Sequence, residues 1–306
     1  MSGCMVFGSS KWDGSPWIVE EDYGLQLLKA ANDRGRDTVD TYLNGISEEI
    51  IGKALRIFQI SRQSVVIMTK IYNPVPDEDS RPPSVNDGSL VNWMGLSRKH
   101  IFYAVDMCFK RLGTDYIDVL QIHRLNQDTE PEEIMRALHD VVQPGKYAIS
   151  EPRRCIPKSN GRTEFIPMQP LYNLLYREEE REMIPFCRST GVGIIPWSPV
   201  ARGLLTKPLD SENASLRSRV DKGKAMWFAD ANLEIVDRVE EVANRRGVSM
   251  ALVATAWVLQ KGCWPIIGLS SVDSITETVQ ALNLRLSEDE IFFLEERYRP
   301  RAVTGI

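Results

Sequence analysis

The chain has 306 residues, 43% of them hydrophobic and 26% charged, enough to build a full globular core. A count of 37 Lys and Arg against 42 Asp and Glu gives a net charge of −5, so there is no strong basic field for nucleic acid or an anionic membrane. Five cysteines without a Cys-x-x-Cys pair, and three histidines without a His-Glu-x-x-His string, argue against a disulfide framework or a zinc site and for the reducing cytoplasm.

In chain order, the first readable strand end is short: Asp37, Thr38 and Val39 lead into Asp40-Thr41-Tyr42. A β-branched run over 65–68 leads into Thr69-Lys70. Residues 71–96, rich in Pro, Asp, Ser and Asn, predict a long loop at the mouth of the fold. Ser97 caps a predicted helix with Ile101, Val105, Cys108 and Leu112 on one face, and Gly113 stops it. A strand over 116–122 ends in His123-Arg124, and Pro131 opens a helix with Ile134, Leu138, Val141 and Val142 on one face. His100 and His139 fall on these helices as surface or packing residues.

A fifth strand and helix belong at 147–163. Only a thin strand, Ala148 to Ser150, is readable, and two prolines with no apolar stripe follow it, so this β/α unit reads as degraded. Further strands are expected at 165–168, 192–197 and 264–267, the last two as buried parallel strands. Helices over 178–190, 232–246 and 249–261 end at Gly191, Gly247 and Gly262. Glu178, Glu179 and Glu180 read as a solvated first helical turn. Helices over 272–281 and 287–298 and a tail follow, with Arg299 and Arg301 expected in solvent. The most apolar stretch, 250–259, is too short to span a bilayer, and the N-terminus has no charged region followed by an apolar core.

Strands alternating with helices imply right-handed βαβ units on a parallel sheet. Seven or eight repeats in this length predict a (β/α)₈ TIM barrel, α/β, as one domain over 1–306, with a shortened first strand. No Gly-x-Gly-x-x-Gly or Gly-Lys-Ser/Thr loop is present, which counts against a Rossmann domain or a P-loop. Ionisable groups past successive strand ends are the placement of a barrel active site. A phenol is a poor acid at neutral pH, but a nearby ammonium lowers its pKa, and a carboxylate keeps that ammonium charged. Tyr42, Lys70 and Asp40 have those roles available, and His123 is available to bond the same substrate oxygen.

The string from Lys110 through Arg111-Leu112-Gly113-Thr114-Asp115-Tyr116 to Gln121-Ile122-His123-Arg124 resembles the aldo-keto reductases. The branch it is similar to is that of fungal aryl-alcohol dehydrogenases and norsolorinic-acid reductases. The strings beginning at Leu27, Ser47, Leu96, Tyr172 and Pro196 carry the same resemblance, which covers nearly the whole chain. It implies a cytoplasmic reductase that takes hydride from NADP(H) to an aldehyde or ketone, aromatic or polyketide-derived, with no metal. By it, Tyr42 is the proton donor, Lys70 lowers its pKa, His123 orients the substrate carbonyl, and Asp40 supports the lysine and touches the cofactor ribose. Ser150 and Gln169 would bond the carboxamide, and Trp197 would stack on the nicotinamide. Ser198, Pro199, Val200, Arg202, Gly203 and Leu204 would wrap the pyrophosphate. Gly268, Ser270, Ser271, Ser274 and Glu277 would hold the adenosine end.

The sequence departs from the family pattern at two places that bear on catalysis. The family sets its tyrosine five residues after the aspartate; Asp40 and Tyr42 are two apart, and Asp37 is the alternative at the full spacing. Ser271 and Ser274 stand where basic residues usually meet a 2′-phosphate. The short Asp40–Tyr42 spacing and the irregular segment at 147–163 motivate the alternative function, a catalytically impaired homologue that binds cofactor.

Overall fold

The structure is a computed structural model that describes residues 1–9, 17–41, 45–75, 88–125, 129–142, 148–150, 165–209 and 227–303. Tyr42, residues 76–87 of the predicted mouth loop and the predicted fifth helix lie outside the described residues. The chain divides into two compact units: residues 1–168 with 268–270, and residues 169–267 with 271–306.

The first unit is built on parallel strands paired in chain order: β1 (Ser2–Gly3), β2 (Thr38–Asp40), β3 (Val66–Ile71), β4 (Val119–Ile122) and β5 (Ala148–Ser150). The register sets Val39 against Ile67, Lys70 against Gln121, and Gln121 against Ser150. The thin fifth strand therefore forms, and β1 is as short as the sequence predicts. β3 runs two residues beyond Thr69, so Lys70 sits inside a strand end and not after it. Helices α1 (Glu21–Asp33), α2 (Ile46–Ile57), α3 (Arg98–Leu112) and α4 (Pro131–Val142) alternate with these strands. α3 begins and ends where its sequence signals place it: the Ser97 hydroxyl accepts the His100 amide, and Gly113 is left-handed at φ 63°. The core joins Leu27, Ile50, Ile67, Ile101, Leu120 and Leu138, all buried.

The string on which the resemblance rests has a structural reason of its own. Arg62 donates to Thr114 Oγ1, to the Tyr116 carbonyl and to Asp118 Oδ2, the last at 2.6 Å, with its guanidinium 3.8 Å from the Tyr116 ring centre. Asp118 also accepts the Ile67 amide at 2.8 Å. Thr114, Tyr116 and Asp118 thus tie the start of β4 to the start of β3 and fix where both strands end.

In the second unit, Leu171 bridges Trp197 in parallel, and the amides of Trp264 and Ile266 donate to the carbonyls of Ile194 and Pro196. The regular part of the predicted strand at 264–267 is only Ile267–Gly268, and Trp264 is exposed despite its bonded backbone. Helices Met183–Thr190, Glu234–Arg246, Met250–Gln260, Val272–Gln280 and Glu288–Glu295 complete the unit. At its centre Trp257 packs on Tyr172, ring centres 5.1 Å apart, with its indole N–H donated to Glu295. No helix among the described residues is long and apolar enough to cross a membrane.

Two expectations fail here. Glu178–Glu180 is a separate 3₁₀ turn, not the start of the following helix, and Glu178 is buried. Its carboxylate accepts from the Tyr298 hydroxyl at 2.7 Å, the Arg301 amide at 2.8 Å and Arg181 at 3.0 Å. Arg301, expected in solvent, has a buried side chain bonded within the same unit. Local charge density favours water at both places; the tail folding back supplies partners that short-range patterns do not reveal.

Candidate active site

β3 exposes successive side chains to opposite faces. On one face Lys70 reaches Asp40 at the end of β2: its Nζ donates to the two carboxylate oxygens at 2.5 and 2.7 Å and to the Thr41 carbonyl at 3.3 Å. Both side chains are under a tenth exposed. The pairing matters because a buried ammonium or carboxylate without an opposite charge would face the cost of desolvation. Asp37, the competing candidate, is exposed, and its carboxylate accepts the hydroxyl of its neighbour Thr38. Asp40 is the lysine's carboxylate.

On the opposite face Thr69 Oγ1 donates to Glu48 Oε1 at 2.5 Å, and Arg111 Nε donates to Glu48 Oε2 at 2.5 Å. Glu48 is buried in the first turn of α2. This group anchors α2 and α3 to the strand that carries Lys70. Thr41, just past β2, pairs its buried hydroxyl with that of Ser47 at 2.5 Å.

His123 follows β4, and its amide continues the ladder to the Ile71 carbonyl at 2.9 Å. Its ring lies 2.8 Å from the Asn73 side-chain amide nitrogen. That nitrogen carries only donors, so His123 Nδ1 is the acceptor and the proton of the neutral ring sits on Nε2. Burial, then the charges of Lys70 and Arg124, push the imidazole pKa down to about 3. His123 is thus a neutral hydrogen-bond donor. Lys70, Thr41, Asn73 and His123 share a small polar pocket with Glu48, Thr69 and Arg111. Sequence reasoning missed Asn73, whose signal was lost in the polar loop composition after Ile71.

In the second unit, Trp197 ends an extended segment whose amide donates to the Pro170 carbonyl. The turn that follows holds Ser198, Ala201 and Arg202 at φ 53°, 48° and 53°. Left-handed non-glycine residues are costly and cluster where a backbone must be shaped for a purpose. Asn173, fully buried and also missed, fastens this turn: its Nδ2 donates to the Ser198 carbonyl at 2.9 Å. The amides of Ala201, Gly203, Leu204 and Leu205 donate to carbonyls of the turn itself. Pro199 and Val200 lie within it, and Gln169 precedes the segment from Pro170.

Gly268 and Ser270 fall in the first unit, while Ser271, Ser274 and Glu277 fall in the second. Ser271 and Ser274 form a reciprocal capping box at the start of helix Val272–Gln280. Residues 268–281 contain Asp273 and Glu277 and no Lys, Arg or His. Hydroxyls and carboxylates of this kind suit a ribose; a 2′-phosphate would find no cation there. The part-exposed Trp197 indole suits an aromatic ring such as nicotinamide. A larger cavity, about 410 Å³, lies in the second unit beside Asp230, Glu234, Tyr298 and Arg301. There Arg301 pairs with Asp230, and Glu234 pairs with Arg297.

The model of the Aldo/keto reductase family matches residues 4–298. The chain is 45% identical over 324 residues to versiconal hemiacetal acetate reductase of Aspergillus parasiticus, covering 98% of this chain and 93% of that protein. It is 46% identical over 328 residues to a Schizosaccharomyces pombe protein provisionally named an aryl-alcohol dehydrogenase, covering 99% and 93%. In structure it is similar to the holo form of an aldo-keto reductase of Bacillus halodurans, with TM-score 0.73, 23% identity, and 99% and 93% of the two chains covered. That likeness shows the fold, the parallel strands and helices of a (β/α)₈ barrel.

Proposed function

The chain belongs to the aldo/keto reductase family, and we propose that it reduces an aldehyde or ketone with hydride from NADPH, using Tyr42 as proton donor. When bound, the cofactor supplies the hydride. The substrate class follows the names of its relatives: an aromatic or polyketide-derived carbonyl, of the kind secondary metabolism handles.

The observation that carries the reading is the buried Lys70–Asp40 pair beside a neutral His123 whose tautomer is set by Asn73. His123 Nε2–H donates to the carbonyl oxygen and fixes its direction. Lys70 makes phenolate at Tyr42 less costly, so the phenol gives its proton as negative charge grows on that oxygen. Asp40 keeps Lys70 cationic. Gln169 and Ser150 bond the carboxamide, Trp197 stacks on the nicotinamide, and residues 198–204 face the pyrophosphate. Gly268, Ser270, Ser271, Ser274 and Glu277 take the adenosine end. The whole chain acts as one catalytic domain in the cytoplasm. The choice of NADPH over NADH rests on the family resemblance, because residues 268–281 supply no cation.

The test mixes the purified protein with NADPH and an aryl aldehyde and follows loss of reduced-nicotinamide absorbance beside Tyr42→Phe. Turnover that Tyr42→Phe abolishes is the expected result. No turnover, with NADPH still raising the melting temperature, would replace this reading with that of a cofactor-binding homologue. The two-residue spacing of Asp40 and Tyr42 is the feature that favours this second reading.

A further inference from the structure

Trp197 does not stand alone. Its ring meets that of Trp227 in a T-shaped contact, centres 5.3 Å apart and planes at 82°. Thirty residues of chain separate the two tryptophans, and Trp227 is buried. Arg301 holds the segment that carries Trp227: its guanidinium donates to the Trp227 carbonyl at 2.9 Å, to the Leu175 carbonyl at 3.3 Å and to the Asp230 carboxylate. The backbone of Arg301 is itself fixed, since its amide donates to the buried Glu178 carboxylate at 2.8 Å. Tyr298 secures the same carboxylate with its hydroxyl and accepts the Arg177 amide at 2.8 Å. Each link is a hydrogen bond or ring contact within the second unit.

We propose that Trp227, clamped by Arg301, is a positioning residue for Trp197: the C-terminal tail sets the angle of the ring on which the nicotinamide stacks. An indole joined to the backbone by one side-chain hinge turns about two torsions, and a flat ligand needs one setting of both. The Trp227 ring removes the alternatives on its side of Trp197. Arg301 reaches two backbone carbonyls and the Asp230 carboxylate at once, a task that suits a guanidinium with several donors in a fixed plane. Asp230 and Glu178 offset the charge and the lost hydration of a buried arginine. The inference rests on the proposed stacking role of Trp197.

The test is a double-mutant cycle read by NADPH affinity, measured calorimetrically, with melting temperature recorded for each variant. Trp227→Leu and Arg301→Gln are each expected to weaken NADPH binding about two- to tenfold, the range that an edge-to-face aromatic contact spans. In a Trp197→Ala background, Trp227→Leu is expected to have no further effect, because the ring it positions is gone. Trp227→Phe, which keeps an aromatic ring, is expected to restore most of the affinity. It also serves as the folded reference if Trp227→Leu melts early. Additive losses in the cycle, or an unchanged affinity in Trp227→Leu, would overturn the positioning role while leaving Trp197 as the stacking residue. Unchanged affinity in Trp197→Ala would overturn the stacking role, and the positioning role with it.

Discussion

Lys70 Nζ sits between both oxygens of the Asp40 carboxylate, at 2.5 and 2.7 Å, and the two side chains are nearly sealed from solvent. The pair joins the ends of two neighbouring strands, so it is both a structural tie and the charge that a phenol at Tyr42 would feel. Those two roles separate by mutation. Lys70→Met takes the ammonium away from the buried Asp40 carboxylate and is expected to cost about 3–5 kcal/mol. It is also expected to lower turnover by about 10²-fold or more, the scale of assisted proton transfer. Adding Asp40→Asn to Lys70→Met removes the buried charge and should restore much of the melting temperature without restoring turnover. A single Lys70→Met variant that melts with the wild type would show that the pair is not the tie described.

His123 gives a pH signature with a definite sign. Its pKa in the folded chain is pushed down to about 3 by burial and by the Lys70 and Arg124 charges, against about 6.5 in an unfolded chain. The unfolded chain therefore takes up the proton first. The stability contributed by the neutral ring is complete above pH ~6.5 and falls as pH drops from there toward the folded value. His100, buried in α3 and shifted down by burial, adds to the same slope. The expected result is a melting temperature that falls between pH 6.5 and 4. In proton NMR the His123 ring should not titrate between pH 8 and 5; a midpoint near 6.5 would contradict a neutral donor held by Asn73.

The parts of this site that were legible in the sequence are those whose signal is local. The β-branched runs before Lys70 and His123, the Ser97 cap and the Gly113 stop all act over a few residues, and all appear where expected. The sequence favours Asp40 over Asp37 through the Asp40-Thr41 pair, and the contact that separates the two, with Lys70, lies 30 residues away in the chain. Asn73 and Asn173 escaped notice because an asparagine in a polar stretch looks like any turn residue until its partner, His123 or Ser198, is known. Glu178 and Arg301 were misjudged for the same reason. Each is a charged residue in a charged stretch, and the tail that carries Arg301 folds back so that its amide donates to Glu178, 123 positions away.

Gly52 is a packing requirement that sequence pattern alone would assign the opposite sign. It lies within α2, where replacing glycine with alanine ordinarily stabilises a helix by about 1 kcal/mol. Here a Cβ would fall 2.4 Å from the Leu112 carbonyl oxygen and 3.1 Å from that of Arg111. Backbone at the end of α3 cannot yield without moving Arg111 away from Glu48. Gly52→Ala is therefore expected to be net destabilising, by about 1–3 kcal/mol as overpacked sites are. The thermal midpoint should fall by several degrees. A rise would mean that α2 and α3 cross with more room than the structure gives.

The cofactor's phosphate offers the sharpest contrast between family habit and this chain. A charge-assisted hydrogen bond to a phosphate contributes about 1.5–3 kcal/mol, so one such contact separates NADPH from NADH by about ten- to a hundredfold. Residues 268–281 supply no cation for it, and their two carboxylates, Asp273 and Glu277, repel a phosphate. The Ser271 and Ser274 hydroxyls are already engaged with each other's backbone at the helix start. Whatever preference this segment gives is thus shallow. The ratio of kcat/KM for NADPH to that for NADH is expected to stay within about tenfold, less than one charged contact confers. Ser271→Arg should raise that ratio by restoring a cation, chiefly through the KM for NADPH. The Ser274 amide would lose the Ser271 hydroxyl that accepts it at the helix start, so helix stability must be read alongside. A wild-type ratio of several hundred would place the phosphate's partner outside residues 268–281. An unchanged ratio in a stable Ser271→Arg variant would place the phosphate itself elsewhere.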